Sequence, residues 1–593
     1  MFARMLFPFV LLALPCVMVA RDDDDPIAAA DPAKVGEAEA ALVEAASQEK
    51  AFLKGEQKLI RAAYVKYFET AYGPEIKAGF GEDYDATTAF LVANPDLKET
   101  LLTALNPAAD NLRKALSLFR DLVKASPEKV KAYPQLAVAL CITWDQAKGV
   151  YDYRPHQRRT KSELPAEVAT TDALANWNLF TQLDGPAKNA ATLLPWEFLV
   201  HSVNHRTPAA EREWAAKNYA PRRIGIGKSY LDIEYDQIML RTQSEVCKLN
   251  EQPYTLPSIR KHGGVCAMQA DFAARVGKSL VVPAEYVWGE SNSGGLHAWV
   301  MWAEVRMLTK EKIDFVMLSE GRYLGDQYYV GKVTDPRTGK VMTDRDMERR
   351  LTVIGAAPQA SRQADLLMRA YPLVREKKML TTAQQAAYLR RVHDLFPADE
   401  RAWKELAGLY RDGKIKDAQS AYLAAERVVK TFGRFPDFSW LLVEDLLTPL
   451  TDKGQRTRIW ESVVLAYESL ARPDLACEAR IRLAELQVDA KDYAKAANGL
   501  AGTVRKFPAE GRYVPKMMAK LQDVCKQYKQ GTDLLAKFYL EFLPLVPKRR
   551  GDEVSKYCVT MHEQAIEFFE SNNKPREAAL VKQSLAGVTS RSK

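Results

Sequence analysis

The stretch KHGGVCAMQADFAARVG, residues 261–277, places Cys266 directly after a Gly-Gly-Val turn and at the head of an apolar-periodic run. A thiol is a nucleophile only as thiolate. A helix N-terminus favours that form by presenting unpaired N–H groups and partial positive charge. Glycines before the cysteine let a substrate carbonyl approach the backbone closely. Thirty-one residues on, NSGGLHAWV sets His297 at the first position of a strand, after a Ser/Gly loop. An imidazole within hydrogen-bond reach of the thiol acts first as base and then as acid for the leaving group. Cys266 and His297 together point to nucleophilic acyl transfer. His201, His205 and His262 lie nearby in sequence, and His262, across the Gly-Gly turn, reads as a surface histidine. Cys247 is assigned no chemistry.

Other chemistries find no anchor. GIGKS at 225–229 has the tail of a phosphate-binding loop, but that loop needs a glycine where Arg222 stands, so an ordinary turn is expected. There is no G-x-S-x-G elbow, no H-E-x-x-H and no C-x-x-C pair. No metal or other cofactor is therefore expected.

The elements that must position the pair follow from periodicity. A helix from Cys266 to about Val276 carries Met268, Phe272 and Val276 on one face, with Gly277 as its stop. SLVVPAEYVWG, HAWVMWAEV and IDFVMLSEG then read as strands separated by polar turns. Helix first and antiparallel meander after implies an α+β domain. Residues 33 to 150 are amphipathic helix after helix, and 150 to 185 read as a polar connection. Beyond about 365 the chain is helical again. Prolines at 397, 436, 473, 508 and 544 recur every 35 to 39 residues, the mark of stacked helical hairpins.

At this point a resemblance becomes specific. GGVCAMQADFAARVGKSLVVPAEYVWG followed by HAWV resembles the transglutaminase-like superfamily, whose core is papain-like. The match covers roughly residues 250 to 325. It implies that Cys266 is the nucleophile, His297 the base, Val282-Pro283-Ala284 the strand entry, and Trp299 a packing residue that supports the site. The family expects an aspartate on the next strand to orient the imidazole. With a hairpin near Leu308 and Thr309, residue 297 falls opposite about residue 320. Asp314 then lies some six residues along the ladder, roughly 20 Å away at strand rise. Ser319 and Glu320 occupy the aspartate's place. Glu320 offers a longer carboxylate, Ser319 only a neutral hydrogen bond. RLAELQVDAKDYAKAANGLAGTVRKFP similarly resembles a tetratricopeptide (TPR) unit.

The bulk of the chain fits this frame. It has 593 residues, too many for one core. Its formal net charge of +8 is thinly spread, and its densest basic cluster, RPHQRRTK at 154–161, lacks interleaved aromatics and reads as a solvated loop. No nucleic-acid partner is expected. Residues 1–20 read as a secretory signal peptide, with Arg4 before an apolar run and Ala20 at the cut. The expectation is export to a periplasmic or extracellular space, with no stable membrane span in the mature chain. Six cysteines remain after Cys16, scattered rather than arranged as a disulfide scaffold.

The expected fold is thus an α+β transglutaminase-like (papain-like) core at 186–350, flanked by an all-α region at 21–185 and a TPR-like α-solenoid at 365–593, with helix dominant overall. The expected function is an exported, thiol-dependent acyl-transfer enzyme acting on a peptide or carboxamide, hydrolytic rather than cross-linking, with a protein partner on the helical repeats. The alternative is a catalytically degraded module of this kind in an envelope scaffold.

Overall fold

Apolar residues at helical spacing fold as helices over most of the chain, and the Val-, Trp- and Tyr-rich runs between 284 and 343 make the main sheet. The computed structural model describes residues 29–291, 295–309, 311–323, 329–470, 472–550 and 553–590. The expected signal peptide at 1–20 lies outside the described residues. No helix among them is long and apolar enough to cross a membrane.

The sheet comprises β1 (Ala284–Glu290), β2 (Leu296–Leu308), β3 (Ile313–Glu320), β4 (Lys332–Thr334) and β5 (Val341–Thr343), all pairs antiparallel, in spatial order β3-β2-β1-β4-β5. The first three strands form the meander read from the sequence. β2, at the centre of that meander, is buried from His297 to Ala303. Its alternation divides two cores. Ala298, Val300 and Trp302 pack with the helix that Cys266 opens. Trp299, Met301 and Ala303 pack on the other side, in a core continuous with the N-terminal helices and the first helices after the sheet.

The cysteine helix spans Cys266–Ser279, two residues beyond the expected stop at Gly277. Gly277 serves packing instead. A Cβ there would meet the Cβ of Ala284 at 3.0 Å, so the glycine lets the helix lie close against β1. The chain turns out of the helix at Val281, which takes φ +54. Every residue of this helix after Cys266 is buried.

The expected polar connection at 150–185 also differs. It contains the short helices Arg154–Thr160, Glu167–Thr170 and Ala173–Phe180. Tyr151 reaches from it to Asp271 on the cysteine helix, its hydroxyl donating at 2.8 Å. Aromatic residues among the polar ones give this segment a surface to bury, so it wraps the core rather than crossing solvent.

After residue 344 the chain is helical apart from a short strand pair, Arg549–Arg550 with Glu553–Val554, and the recurring prolines lie at helix junctions. Pro436 and Pro473 open the helices Pro436–Leu446 and Pro473–Asp489, and Pro397 and Pro508 lie in turns. Side chains 33 to 36 residues apart meet repeatedly: Arg401 with Asp365, Arg427 with Asp394, Arg411 with Asp445, Thr503 with Glu468, and Arg505 with Glu541. A period of about 35 residues in sequence is therefore also a step in space.

Candidate active site

Cys266 occupies the first position of its helix. The preceding Val265 is extended and has no side chain able to cap, so no side-chain oxygen competes for the helix's leading N–H groups. The Gly-Gly turn serves a backbone crossing. Gly263 has φ +80, and a Cβ on it would meet Glu234 O at 2.4 Å. Gly264 N donates to Glu234 O, and Asp236 N donates to Gly264 O. Cys266 is the one cysteine among the described residues that is not buried, and all six are free thiols.

Three tyrosines surround it. Burial raises the hydroxyl pKa of Tyr230, Tyr235 and Tyr286 above the ordinary tyrosine value, and the nearby Cys266 charge is the next cause in each case. All three stay protonated at neutral pH and can donate hydrogen bonds. Tyr230 donates to Ala298 O at 3.3 Å, at the start of β2. Tyr323 also acts on Tyr230 and Tyr235, which brings the end of β3 into the same neighbourhood.

His297 lies under that Tyr323. The rings stack with centroids 4.4 Å apart, and the Trp299 ring lies 6.1 Å from the imidazole. The imidazole is buried although Tyr323 is half exposed. His297 Nε2 donates to Gly321 O at 2.5 Å. A carbonyl can only accept, so this contact puts a proton on Nε2 and leaves Nδ1 as the basic nitrogen. Gly321 has φ +82, and a Cβ on it would meet the Tyr230 ring at 2.3 Å.

The third-member reading changes with the register. Val300 pairs with Glu320 and Met301 with Ser319, so residue 297 is three steps out of phase with residue 320. The reason is a turn longer than expected. Leu308 pairs with Ile313 across residues 309–312, and a register shift falls between Val305 and Met307. Asp314, opposite Met307, is farther from His297 than the sequence reading put it. By ladder parity Ser319 shares the face of Trp299 and His297, whereas Glu320 shares the face of Val300. Glu320 Oε1 accepts from Gly321 N at 3.3 Å, and Glu320 acts electrostatically on Tyr230. The acceptor found on His297 Nε2 is the Gly321 carbonyl.

No family model and no curated protein matches this chain. Its chemistry rests on its own geometry. That geometry brings Cys266, Tyr230, Tyr235, Tyr286 and Tyr323 together and ties His297 to the same cluster through Tyr323. It does not join the pair directly: among the described residues no hydrogen bond links the Cys266 thiol to the His297 ring. The ladder sets His297 in phase with Trp299, away from the face that packs on the cysteine helix. Trp299 is fully buried against Gly289 and Gly331, with the Arg322 guanidinium 5.2 Å over its ring.

The other histidines divide by partner. His201 Nδ1 lies 2.8 Å from Glu285 in a buried pair, and His205 Nδ1 lies 2.9 Å from Thr207 Oγ1. The basic cluster expected as a solvated loop is largely helical, and its His156 ring packs on Tyr286 with centroids 4.8 Å apart. The tyrosines and Gly321 were absent from the sequence reading. Only the aromatic density of residues 230–235 and 323 hinted at them. No group of three or more His, Cys, Asp or Glu among the described residues is placed to hold a metal ion.

Proposed function

We propose that the protein is a thiol-dependent acyl-transfer enzyme of transglutaminase-like type, acting on a peptide or carboxamide. The observation that carries the reading is Cys266 itself, the one partly exposed free thiol among the described residues, at an uncapped helix N-terminus ringed by protonated tyrosines. The Cys266 thiolate attacks the carbonyl carbon. The leading N–H groups of its helix and a tyrosine hydroxyl receive the developing oxyanion. The C–N bond breaks, His297 delivers a proton to the departing amine, and a thioester remains. Water, losing its proton to His297, then attacks the thioester. The acid leaves and the thiolate is restored. Hydrolysis is favoured over cross-linking because water needs no second binding site. In this reading Gly321 O orients the imidazole in place of a carboxylate.

The helices after the sheet are TPR-like repeats that bind a partner protein, and the chain is exported to a periplasmic or extracellular space. The 36-residue step of ion pairs such as Arg401–Asp365 and Arg505–Glu541 supports the repeat reading. One observation favours the scaffold reading instead, the absence of a hydrogen bond between Cys266 and His297 among the described residues. The rate of Cys266 alkylation across pH, compared between the wild type and His297→Ala, decides between them. Catalysis requires a low-pH reactive fraction that His297→Ala removes, and a scaffold predicts identical profiles.

A further inference from the structure

Arg159 stands on the short helix Arg154–Thr160, three residues after His156 and hence on the same helix face. His156 packs on the Tyr286 ring, so that face is turned toward the tyrosines around Cys266. Arg159 Nε donates to Ser244 Oγ at 2.8 Å, which fixes the guanidinium while leaving its other N–H groups to solvent or ligand. Three other cations of this region are committed elsewhere. Arg154 is bound to Asp152 at 2.8 Å, Lys248 to Glu234 at 3.0 Å, and Lys161 donates to Glu245 O at 3.2 Å. Among the described residues Arg159 has no carboxylate partner. Its charge acts on both Tyr235 and Tyr286, two of the three rings that the Cys266 charge acts on. The buried carboxylate of Asp271 is taken up by Tyr151 and Tyr254.

We propose that Arg159 is a specificity residue that receives a carboxylate on the substrate, so that the acyl donor is an acidic peptide with its anionic side chain close to the scissile carbonyl. The proposal rests on the acyl-transfer reading of Cys266. A guanidinium presents a planar fork of donors that matches a carboxylate in two parallel hydrogen bonds, which a lysine at the same place does not. Positioned by Ser244, it discriminates by charge before the thiol is reached.

The test uses two alkylators of nearly equal size, anionic iodoacetate and neutral iodoacetamide, on the folded full-length protein. The expected iodoacetate-to-iodoacetamide rate ratio at Cys266 is about three- to fivefold above that of free cysteine. Arg159→Gln brings it down to the free-cysteine value, and Arg159→Lys keeps part of the preference. Arg154→Gln, whose guanidinium is held by Asp152, leaves the ratio where it was. Salt at 1 M shrinks the preference in the wild type. A wild-type ratio equal to free cysteine, or one that Arg159→Gln does not change, overturns the proposal. The ratio is read at a pH where any thiol is ionised. Loss of the His297-dependent activation therefore sinks the acyl-transfer reading without altering this result.

Discussion

At Gly321 three demands meet on one residue: a left-handed backbone, a carbonyl turned to His297 Nε2, and an α-carbon pressed against the Tyr230 ring. Gly321→Ala adds strain of about 1 kcal/mol for the left-handed conformation and roughly 1–3 kcal/mol for displacing the Tyr230 ring. The expected outcome is a lower denaturation midpoint in urea together with a Cys266 pH profile shifted toward that of His297→Ala. A variant with unchanged stability and profile would show that the carbonyl orients nothing. The positions of Cys266 and His297 were legible because Cys266 opens its helix and His297 is the second residue of β2, and element starts follow from periodicity. The third member was not. Its place depends on how many residues the β2–β3 turn contains and on one irregularity between Val305 and Met307, and alternation alone carries no count of either.

The cysteine helix is held from behind by charge. Lys278 Nζ contacts Glu285 at 2.9 Å and Asn204 at 2.5 Å, and Glu285 also bonds His201, all of it buried. Burial lowers the Lys278 pKa and Glu285 opposes that shift. Removing the cation alone leaves Glu285 uncompensated. Lys278→Met is therefore expected to cost about 3–5 kcal/mol in urea unfolding, and Lys278→Met with Glu285→Leu to recover much of it. A single variant as stable as the wild type would contradict the network's role. The helix and its apolar face were readable from Met268, Phe272 and Val276. Its other face, with Gln269, Asp271, Arg275 and Lys278, has the polarity of a solvated surface yet is buried. The partners that allow this, Tyr151, Glu211 and Asn204, lie 120, 64 and 74 residues away in sequence, where no local pattern reaches.

At the scale of the molecule, a few long-range pairs tie the sheet to the helices around it. Arg337 Nη2 lies 2.5 Å from Asp110, whose side chain is fully buried, and so clamps the segment after β4 to the N-terminal helices. Tyr329 donates to Glu510 at 2.7 Å, joining the segment after β3 to the C-terminal helices. Arg337→Met strands the Asp110 carboxylate and is expected to cost about 3–5 kcal/mol, read as a lower thermal midpoint. Arg337→Met together with Asp110→Leu should restore most of it, and no loss in the single variant would refute the clamp. The proline spacing after residue 365 was visible in the sequence, and its structural counterpart is the run of contacts 33 to 36 residues apart. The shared core was not visible. Helices before and after the sheet share one core with its Trp299 side, and apolar faces reveal that they need a partner but not which one.

The central claim is that His297 activates Cys266, and alkylation of the folded protein with limiting iodoacetamide from pH 5 to pH 10 tests it most directly. The account predicts a wild-type rate that stays high well below the ordinary thiol range, with a low-pH plateau that disappears in His297→Ala and labelling that disappears in Cys266→Ser. Wild-type and His297→Ala curves that coincide, both rising only through the range of a free thiol, would contradict it.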